Sequence, residues 1–248
     1  MVMAWDVLVA DFGMNQYHGG FFDLEDRLEA IQDIGYQGLE RLTAATEGEA
    51  LEAAATFHRM GMTFATVRAP STTLSIRWTA AFGRAYVWSA VSGQDHDTFC
   101  RQVNDQAEAC DRHGILVAVH NHMGTPVETH DETVGFLEKC PKAGLIFDTA
   151  HLAAVGGDPV DIATRYCDRI VMVHFKDWVH EREHEVWTQR GRFTYLGGGN
   201  IDLNNIAVVQ ALQEGGYDGP VAVEQDTHLQ DPIDDLRLSM AYLRAAGV

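Results

Sequence analysis

Cysteine is scarce in this sequence. The four cysteines, Cys100, Cys110, Cys140 and Cys167, are scattered through predicted helices and helix ends, and they form no C-x-x-C pair. Such spacing predicts reduced thiols and argues against both a disulfide framework and a zinc ribbon.

Basic residues are also few relative to acidic ones. The sequence has 18 Lys and Arg against 36 Asp and Glu, which gives a formal net charge of −18. This charge argues against nucleic acid or an anionic membrane surface as a partner, because both are themselves polyanions. It also disfavours a phosphorylated substrate, unless Arg and Lys are concentrated at the binding site.

Long hydrophobic runs are absent as well. No apolar stretch approaches the length of a membrane span, and the initial MVMAWDVLVADFG has neither a basic leader nor a small-residue cleavage site. The 46% hydrophobic and 22% charged residues are typical of a soluble globular protein. We therefore expect a cytoplasmic protein without a membrane partner, whose core needs no disulfides.

Short β-branched runs alternate with amphipathic stretches along the chain. In the first such stretch, apolar residues recur at helical spacing at Leu24, Leu28, Ile31 and Ile34. Helices are predicted at residues 24–34, 48–60, 99–113 and 203–214, and strands at 6–10, 38–42, 63–68, 85–91, 116–121, 144–148, 170–175 and 221–224. Eight strands, each followed by a helix, predict a single-domain α/β fold, a (β/α)₈ TIM barrel over residues 1–248. A doubly wound sheet is the alternative, but no G-x-G-x-x-G follows the first strand.

Side chains that can bind a metal or a substrate recur where the predicted strands end. Active-site residues of (β/α)₈ barrels lie at these carboxyl ends. The second and third strands end near Glu40 and Arg68, and strands five to eight end in His120 with His122, Asp148 with His151, His174 with Lys176, and Glu224. A single histidine or acid at such a place is usually a solvated loop residue. Groups of this kind on four consecutive strands instead predict one metal centre, and the lack of cysteine among them argues against structural zinc.

Six segments resemble motifs of the xylose isomerase-like barrel superfamily. They are GLE at 38–40, VAVHNHMGT at 117–125, FDTAH at 147–151, VHFKD at 173–177, LGGGNID at 196–202 and VAVEQD at 221–226. That superfamily includes sugar isomerases, ketose 3-epimerases, keto-inositol dehydratases, dehydroshikimate dehydratases and endonuclease IV. The resemblance covers nearly the whole chain and implies the barrel fold, while one scaffold hosts several of these activities.

The resemblance also implies the ligands of one divalent metal ion. The family holds its metal with a Glu, an Asp, a His and a Glu from strands five to eight, which correspond here to His120, Asp148, His174 and Glu224. Histidine at position 120 departs from the family's glutamate, and His122 is a rival ligand because residues two apart on a strand share a face. Mn²⁺ or Co²⁺ is expected first, with Mg²⁺ and Zn²⁺ as alternatives.

Further motif residues are expected to act on the substrate. The expected substrate-binding residues are Glu40, Arg68, His122, His151 and Arg192, with Arg190 as the alternative to the last. Lys176 is expected to polarise a carbonyl or neutralise an enolate. The simpler interpretations are a surface pair with Arg41 for Glu40, a solvent-facing helix start for His151, and a salt bridge with Asp177 for Lys176.

The charged segment before Gly191 and the glycine run at 197–199 are interpreted as structural elements and not as binding sites. The charged residues between Asp177 and Gly191 are expected to form a lid or a solvated loop. The three glycines at 197–199 are not followed by a P-loop lysine, and the resemblance implies a turn before a helix that Asp202 caps.

The HNHMGT and VEQD segments are similar to the keto-inositol dehydratase branch. This similarity favours metal-dependent removal of the proton next to the carbonyl of an unphosphorylated keto-sugar or keto-cyclitol, followed by loss of a β-hydroxyl. Glu224 is the expected base, and His120 is the expected acid for the departing hydroxyl. Sugar isomerisation or ketose 3-epimerisation begins with the same proton and is the alternative.

Two other classes of function fit the sequence less well. An endonuclease IV-like nuclease would need three zinc ions and a basic DNA-binding face, which the charge of −18 argues against. A non-catalytic sugar-binding barrel would not need a complete set of metal ligands. The expected partner is therefore a small sugar or polyol, not nucleic acid, and assembly into a homo-oligomer is left open.

Overall fold

The computed structural model describes residues 5–10, 23–93 and 95–248. Its strands are β1 Val7–Ala10, β2 Gly38–Thr43, β3 Thr63–Arg68, β4 Tyr86–Trp88, β5 Leu116–His120, β6 Ala143–Asp148, β7 Ile170–Phe175, β8 Asp177–His180, β9 Gly191–Thr194 and β10 Val221–Glu224. Its α-helices are α1 Leu24–Gln32, α2 Glu47–Arg59, α3 Thr72–Ala81, α4 His96–Asp111, α5 His130–Lys139, α6 Thr149–Ala154, α7 Pro159–Arg165, α8 Asn205–Glu214 and α9 Pro232–Ala246. None of the helices in the described ranges has the length and apolar character that crossing a bilayer requires.

Eight parallel strands form a nearly closed barrel in the order β3-β2-β1-β10-β7-β6-β5-β4. At the seam between β3 and β4, the Thr66 hydroxyl donates a hydrogen bond of 2.7 Å to the carbonyl of Tyr86. The remaining pair, β8 and β9, forms a separate antiparallel hairpin in which Asp177 pairs with Thr194 and His180 with Gly191. The predicted (β/α)₈ barrel is confirmed, and the segment expected to be a lid or loop begins and ends in this hairpin.

The fourth predicted strand, residues 85–91, is shorter than expected. Only Tyr86–Trp88 is strand, although the N–H of Ser89 still donates to the carbonyl of Ala118 at 2.7 Å. The next amide, that of Ala90, donates to the Gln106 side chain at 3.1 Å instead of a neighbouring strand. This side-chain contact ends the ladder.

Capping side chains decide where the helices begin. The predicted helix at 99–113 begins earlier, at His96, because Asp95 accepts the N–H of Thr98 at 3.1 Å. The helix after the glycine turn is capped by Asn204, which accepts the N–H of Ala207 at 3.0 Å. The expectation that Asp202 caps it was wrong, because Asp202 lies too far before the first helical residue and is exposed.

Two layers of side chains point into the barrel. The lower one, which we call the apolar plug, consists of Leu8, Ala10, Tyr86, Ala118, Ile146, Met172 and Ala222. Side chains alternate along a strand, so the residues two positions further on also point inward. On β5, β6, β7 and β10 these residues are His120, Asp148, His174 and Glu224. Together with Glu40 of β2, which lies 3.3 Å from His174, they form what we call the charged layer. A second and larger core, with Val9, Phe147 and Leu212 among its members, packs the sheet against the helices.

Candidate active site

The four predicted metal ligands converge on one point at the carboxyl end of the barrel. One donor atom each from His120, Asp148, His174 and Glu224 lies within 4.8 Å of the others. His120, Asp148 and Glu224 end β5, β6 and β10, and His174 is the next-to-last residue of β7; these four strands are neighbours in the sheet. The sequence places them together because each follows an inward-facing residue of the apolar plug by two positions.

Several buried atoms of this cluster have no hydrogen bond. They include both ring nitrogens of His174 and Oε2 of Glu224. His174 Nδ1 lies 2.7 Å from Glu224 Oε2, but the ring does not direct a hydrogen bond at that oxygen. All three atoms lie in ion pairs, but a coordinated cation would give their lone pairs a direct partner that these contacts do not supply. Two imidazoles and two carboxylates suit a divalent cation, so the residues fit the metal that the resemblance implies.

The structure gives different positions to the two candidate histidines, His120 at the end of β5 and His122 in the loop that follows. His120 Nε2 lies 3.3 Å from Asp148 Oδ2, inside the cluster. His122 lies beside it, where Nδ1 contacts the carbonyl of Met123 at 2.6 Å and the ring stacks on His151 with centroids 3.6 Å apart. Burial lowers the pKa of both rings, which favours neutral imidazoles. The geometry therefore favours His120 over His122 as the ligand.

Lys176 is a fully buried cation among carboxylates. Its Nζ lies 2.8 Å from Asp226 Oδ2, 3.1 Å from Glu224 Oε2 and 3.5 Å from Asp148 Oδ2. Burial alone would lower the pKa of this ammonium, but the three carboxylates outweigh it and raise the pKa. In the same way, burial would raise the pKa of Asp148 and Glu224, but Lys176 together with neighbouring histidines holds both well below their usual range.

The simpler interpretation of Lys176, a salt bridge with Asp177, does not hold. Asp177 instead accepts the N–H of Trp178 at 2.8 Å and the N–H of Gly197 at 2.9 Å. A Cβ on Gly199 would collide with this carboxylate, so the glycine turn wraps around Asp177. The glycines thus allow the turn to pack against Asp177 at the start of the hairpin, which agrees with the prediction that they do not form a phosphate-binding loop.

Glu40 lies under the cluster and not at the surface. It is fully buried, and its Oε1 accepts hydrogen bonds from Trp88 Nε1 at 2.8 Å and from the Tyr86 hydroxyl at 3.2 Å. Its Oε2 lies 3.3 Å from His174 Nε2 and 3.6 Å from Arg41 Nε. Burial would raise the pKa of Glu40, but His174 and Arg41 lower it overall, so the group is a carboxylate. The surface placement considered from the sequence is wrong, because Glu40 is fully buried, although it still contacts Arg41.

His151 is also buried, so a solvent-facing helix start is wrong. Its backbone N–H donates to Asp148 Oδ1 at 2.8 Å, which caps α6, and its Nδ1 accepts the N–H of Met123 at 3.3 Å. Its Nε2 faces Lys176 Nζ at 3.3 Å. Burial first, and the neighbouring Lys176 cation second, lower the pKa of this ring well below its usual value, although Asp148 acts in the opposite direction.

A cavity of about 450 Å³ opens above the cluster. Four of the residues predicted for the site line it: His120, His122, Arg192 and Glu224. Among the others, Glu40, His151 and Lys176 lie beneath or behind the lining. Arg68 is exposed and lines a neighbouring cavity that shares Arg41 and Trp88 with this one. Substrate contact by all of these residues stays a prediction.

The two candidate arginines take different positions in the hairpin. Arg192 lines the cavity, and its Nε contacts Glu181 at 3.1 Å across the hairpin. Arg190 holds the connecting loop, because its Nε donates to the carbonyl of His184 at 2.6 Å. The placement therefore favours Arg192 as the substrate-facing residue.

Sequence reasoning missed several residues of the cavity wall: Arg41, Trp88, Trp178, Trp187, Phe193 and Asp226. Asp226 follows Glu224 by two positions, so the alternation that pairs His122 with His120 could have found it. Trp88 likewise follows Tyr86 of the apolar plug by two positions. Nothing in the local sequence indicates that Trp187 turns towards the site.

The family comparison extends over most of the chain. The model of the xylose isomerase-like TIM barrel matches residues 28–246. An inosose dehydratase of Lactiplantibacillus plantarum is 31% identical over 164 residues, which are 61% of this chain and 54% of that protein. One of Lacticaseibacillus casei is 37% identical over 145 residues, 53% of this chain and 48% of that protein. The chain thus spans about half the length of the curated relatives it matches.

Solved structures share the fold at low sequence identity. A xylose isomerase-like TIM barrel protein from Mycobacterium smegmatis in complex with magnesium has a TM-score of 0.71 at 13% identity, covering 98% of this chain and 96% of that one. An L-ribulose 3-epimerase has a TM-score of 0.72 at 15% identity, covering 98% and 94%. With the matched model and the eight-stranded barrel, these likenesses lead to one conclusion: the chain belongs to the xylose isomerase-like TIM barrel family.

Proposed function

We propose that this protein is a divalent-metal-dependent dehydratase of a keto-cyclitol or keto-sugar. The observation that carries the proposal is the convergence of four donor atoms within 4.8 Å beneath an open cavity. The similarity to inosose dehydratases over about half of their length supports the substrate class. Mn²⁺ or Co²⁺ is the proposed ion, with Mg²⁺ or Zn²⁺ as alternatives.

The proposed ligands are His120, Asp148, His174 and Glu224. A divalent ion held by them would supply the electrophile that acidifies the proton next to the substrate carbonyl. Glu40 packs beneath His174 and is proposed to orient that ring, as carboxylates behind ligating histidines commonly do. This role replaces the direct substrate contact expected from the sequence, because Glu40 is fully buried.

Glu224 is the proposed base. It lines the cavity, and the cations around it keep it ionised, so it can accept the α-proton of a bound ketone. Lys176 holds a fixed positive charge 3.1 Å from Glu224 Oε2, where it stabilises negative charge that develops on the substrate oxygen. The C–O bond to the β-hydroxyl then breaks, and that oxygen leaves as water with the proton that Glu224 has accepted. His120, expected from the sequence to supply this proton, is proposed only as a ligand, because burial lowers its pKa and favours the neutral ring.

The cavity wall supplies hydrogen bonds for the other hydroxyls. His122 and Arg192 line it and are proposed to bind them directly. His151 stacks on His122 and is proposed to act through that ring. Arg68 faces the neighbouring cavity, so any contact it makes would be with the far end of a substrate.

Solvent proton exchange tests the reaction. The protein is loaded with Mn²⁺ and incubated in D₂O with an inosose, and mass spectrometry follows deuterium uptake together with loss of water. We expect Glu224→Gln to reduce exchange by roughly 1,000-fold or more, because a general base contributes about 10²–10⁴-fold. Metal content is measured in parallel, and Glu214→Gln, the same change at an exposed helix end, serves as the control.

Each alternative has its own outcome. Exchange at the wild-type rate in Glu224→Gln would show that another group is the base. Deuterium uptake without loss of water would favour a sugar isomerase or ketose 3-epimerase. Binding of polyols without any exchange would favour a sugar-binding barrel, and cleavage of phosphodiesters without exchange would replace the proposal by a nuclease.

A further inference from the structure

Indole rings stand at the two ends of the histidine row in the cavity. At one end, the Trp88 ring centroid lies 5.1 Å from that of His120. The row continues from His120 to His122 over 5.4 Å, and at its other end His122 lies 5.3 Å from Trp187. Both tryptophans line the cavity above the charged layer. A polar floor with aromatic ends suits a ligand that is both polar and flat-faced.

Trp187 is the inward-facing residue of an otherwise exposed loop. Residues 181–186 and 188–189 are exposed, and Val186 next to it is 48% exposed. Trp187 instead turns towards the site, where its ring centroid lies 5.7 Å from that of His151. A side chain on Gly124, whose φ is +77°, would come within 2.9 Å of Trp187 Nε1, so the glycine leaves room for the indole.

Contacts of the other aromatic residues leave Trp187 as the ring available for stacking. Trp88 donates its Nε1–H to Glu40, and the Arg41 guanidinium lies 4.7 Å from its ring centroid. Phe193 has Lys176 Nζ 4.1 Å from its ring centroid. Trp178 also lines the cavity, but only 2% of it is exposed. The Trp187 indole contacts neighbouring rings, and within the described residues it has neither a cation nor a hydrogen-bond partner.

We propose that Trp187 selects a cyclic substrate by stacking on the C–H face of a saturated six-membered ring. Such a ring presents C–H groups on its faces and hydroxyls at its rim, so an indole can cover a face while His122 and Arg192 bind the rim. An open-chain ketose has no comparable flat face. The inference deepens the proposed function and rests on it, since it identifies a keto-cyclitol or ring-form sugar as the substrate of the same site.

Binding of unreactive polyols tests the inference apart from the reaction. myo-Inositol and sorbitol, a ring and an open chain with six hydroxyls each, are titrated into the Mn²⁺-loaded protein and followed by ligand-observed NMR. We expect the wild type to bind myo-inositol about 10-fold more tightly than sorbitol, the size of an aromatic contact. Trp187→Ala should abolish this preference, Trp187→Phe should keep part of it, and the control Val186→Ala should leave it unchanged.

The outcomes separate this inference from the proposed function. No preference in the wild type, or the same preference in Trp187→Ala, would overturn ring selection. Equal weakening of both polyols in Trp187→Ala and in Trp187→Phe would assign Trp187 to the support of the hairpin and would also overturn it. A ring preference that depends on Trp187, in a protein that exchanges no ketone proton, would sustain ring selection while the dehydratase proposal fails.

Discussion

The apolar plug and the charged layer lie next to each other inside the barrel, two residues apart along the strands they share. Ala118, Ile146, Met172 and Ala222 of the apolar plug each precede a member of the charged layer by two residues. The two layers share β5, β6, β7 and β10, and all their members on these strands except His120 are buried. The plug packs by apolar contact, whereas the charged layer contains buried nitrogen and oxygen atoms without hydrogen bonds. Burial by itself therefore does not separate a stabilising position from a functional one.

The comparison also shows how the barrel tolerates its charged layer. Buried carboxylates cost free energy unless cations compensate them, and Lys176 and His174 provide that compensation. Close to the carboxylates of Glu40 and Glu224, which outweigh the opposing effect of burial, the pKa of His174 rises to about 10. The plug beneath provides apolar burial that stabilises the fold, so the two layers should respond differently to substitution.

The largest expected effect is on metal affinity in the charged layer. His174→Ala should weaken Mn²⁺ binding by roughly 100- to 1,000-fold. A four-ligand site, with the about 10–16 kcal/mol of a structural zinc site as a guide, loses about a quarter of its donors. Calorimetric titration of the metal-free protein measures it. Met172→Ala, two residues earlier in the plug, is the matched control and should bind the ion normally. A loss smaller than about 10-fold in His174→Ala would remove this residue from the ligand set.

The next effect is on the stability of the metal-free protein. Lys176→Met leaves three carboxylates without their common cation and should lower the free energy of unfolding by about 3–5 kcal/mol at pH 7, measured by urea denaturation. Lys139→Met, which breaks an exposed pair with Asp97, should leave the midpoint nearly unchanged. Saturating Mn²⁺ should reduce the difference in stability between wild type and variant, because the ion supplies part of the missing positive charge and so binds the folded variant more tightly.

The loss in the free energy of unfolding caused by Lys176→Met should depend on pH in a defined direction. Lys176 depresses the pKa of Asp148 and Glu224, so the stability they contribute is present above their unfolded pKa and is lost as pH falls through the folded pKa. The difference between wild type and variant should therefore be full at neutral pH and shrink in acid. A difference that grows in acid would contradict this assignment.

A smaller effect is expected in the plug. Met172→Ala should lower the free energy of unfolding by about 2–3 kcal/mol, because it leaves a cavity among fully buried neighbours. Leu229→Ala, at a side chain that is 72% exposed, is the control and should change it by less than about 0.5 kcal/mol. If Met172→Ala impaired metal binding as strongly as His174→Ala, the functional separation of the two layers would be refuted.

The smallest effect is expected outside the barrel, on the stability contributed by the capping box of helix α5. Thr129 and Glu132 form a capping box on α5, where Glu132 Oε2 accepts the N–H of Thr129 at 2.9 Å. Burial would raise the pKa of Glu132, but these hydrogen bonds lower it below its ordinary 4.5. Glu132→Gln should cost about 0.5 kcal/mol at pH 7, and the cost should disappear as the pH falls through the lowered pKa, as thermal unfolding can measure. A cost that persists in acid would show that the charge is not involved.

The convergence of the four candidate metal ligands was predictable because strand ends and alternation are local features. Asp148 and Glu224 close buried strands, so the barrel geometry alone brings them together. Glu40 was harder, because its sequence neighbour Arg41 suggested a surface pair, whereas the folded barrel buries Glu40 against Trp88 and His174. Arg68 does end its strand, but its side chain faces another cavity.

The sequence by itself determined the barrel, the strands that carry the ligands and the residue types available to a divalent ion. These features depend on periodicity and on the chemistry of single side chains, both of which can be read from short stretches of the sequence. Only the tertiary structure placed His120, and not His122, in the four-residue cluster. It also placed Lys176 among three carboxylates instead of beside Asp177, and turned Trp187 into the cavity. Those outcomes depend on distances between residues from different strands and loops, and the folded chain alone sets such distances.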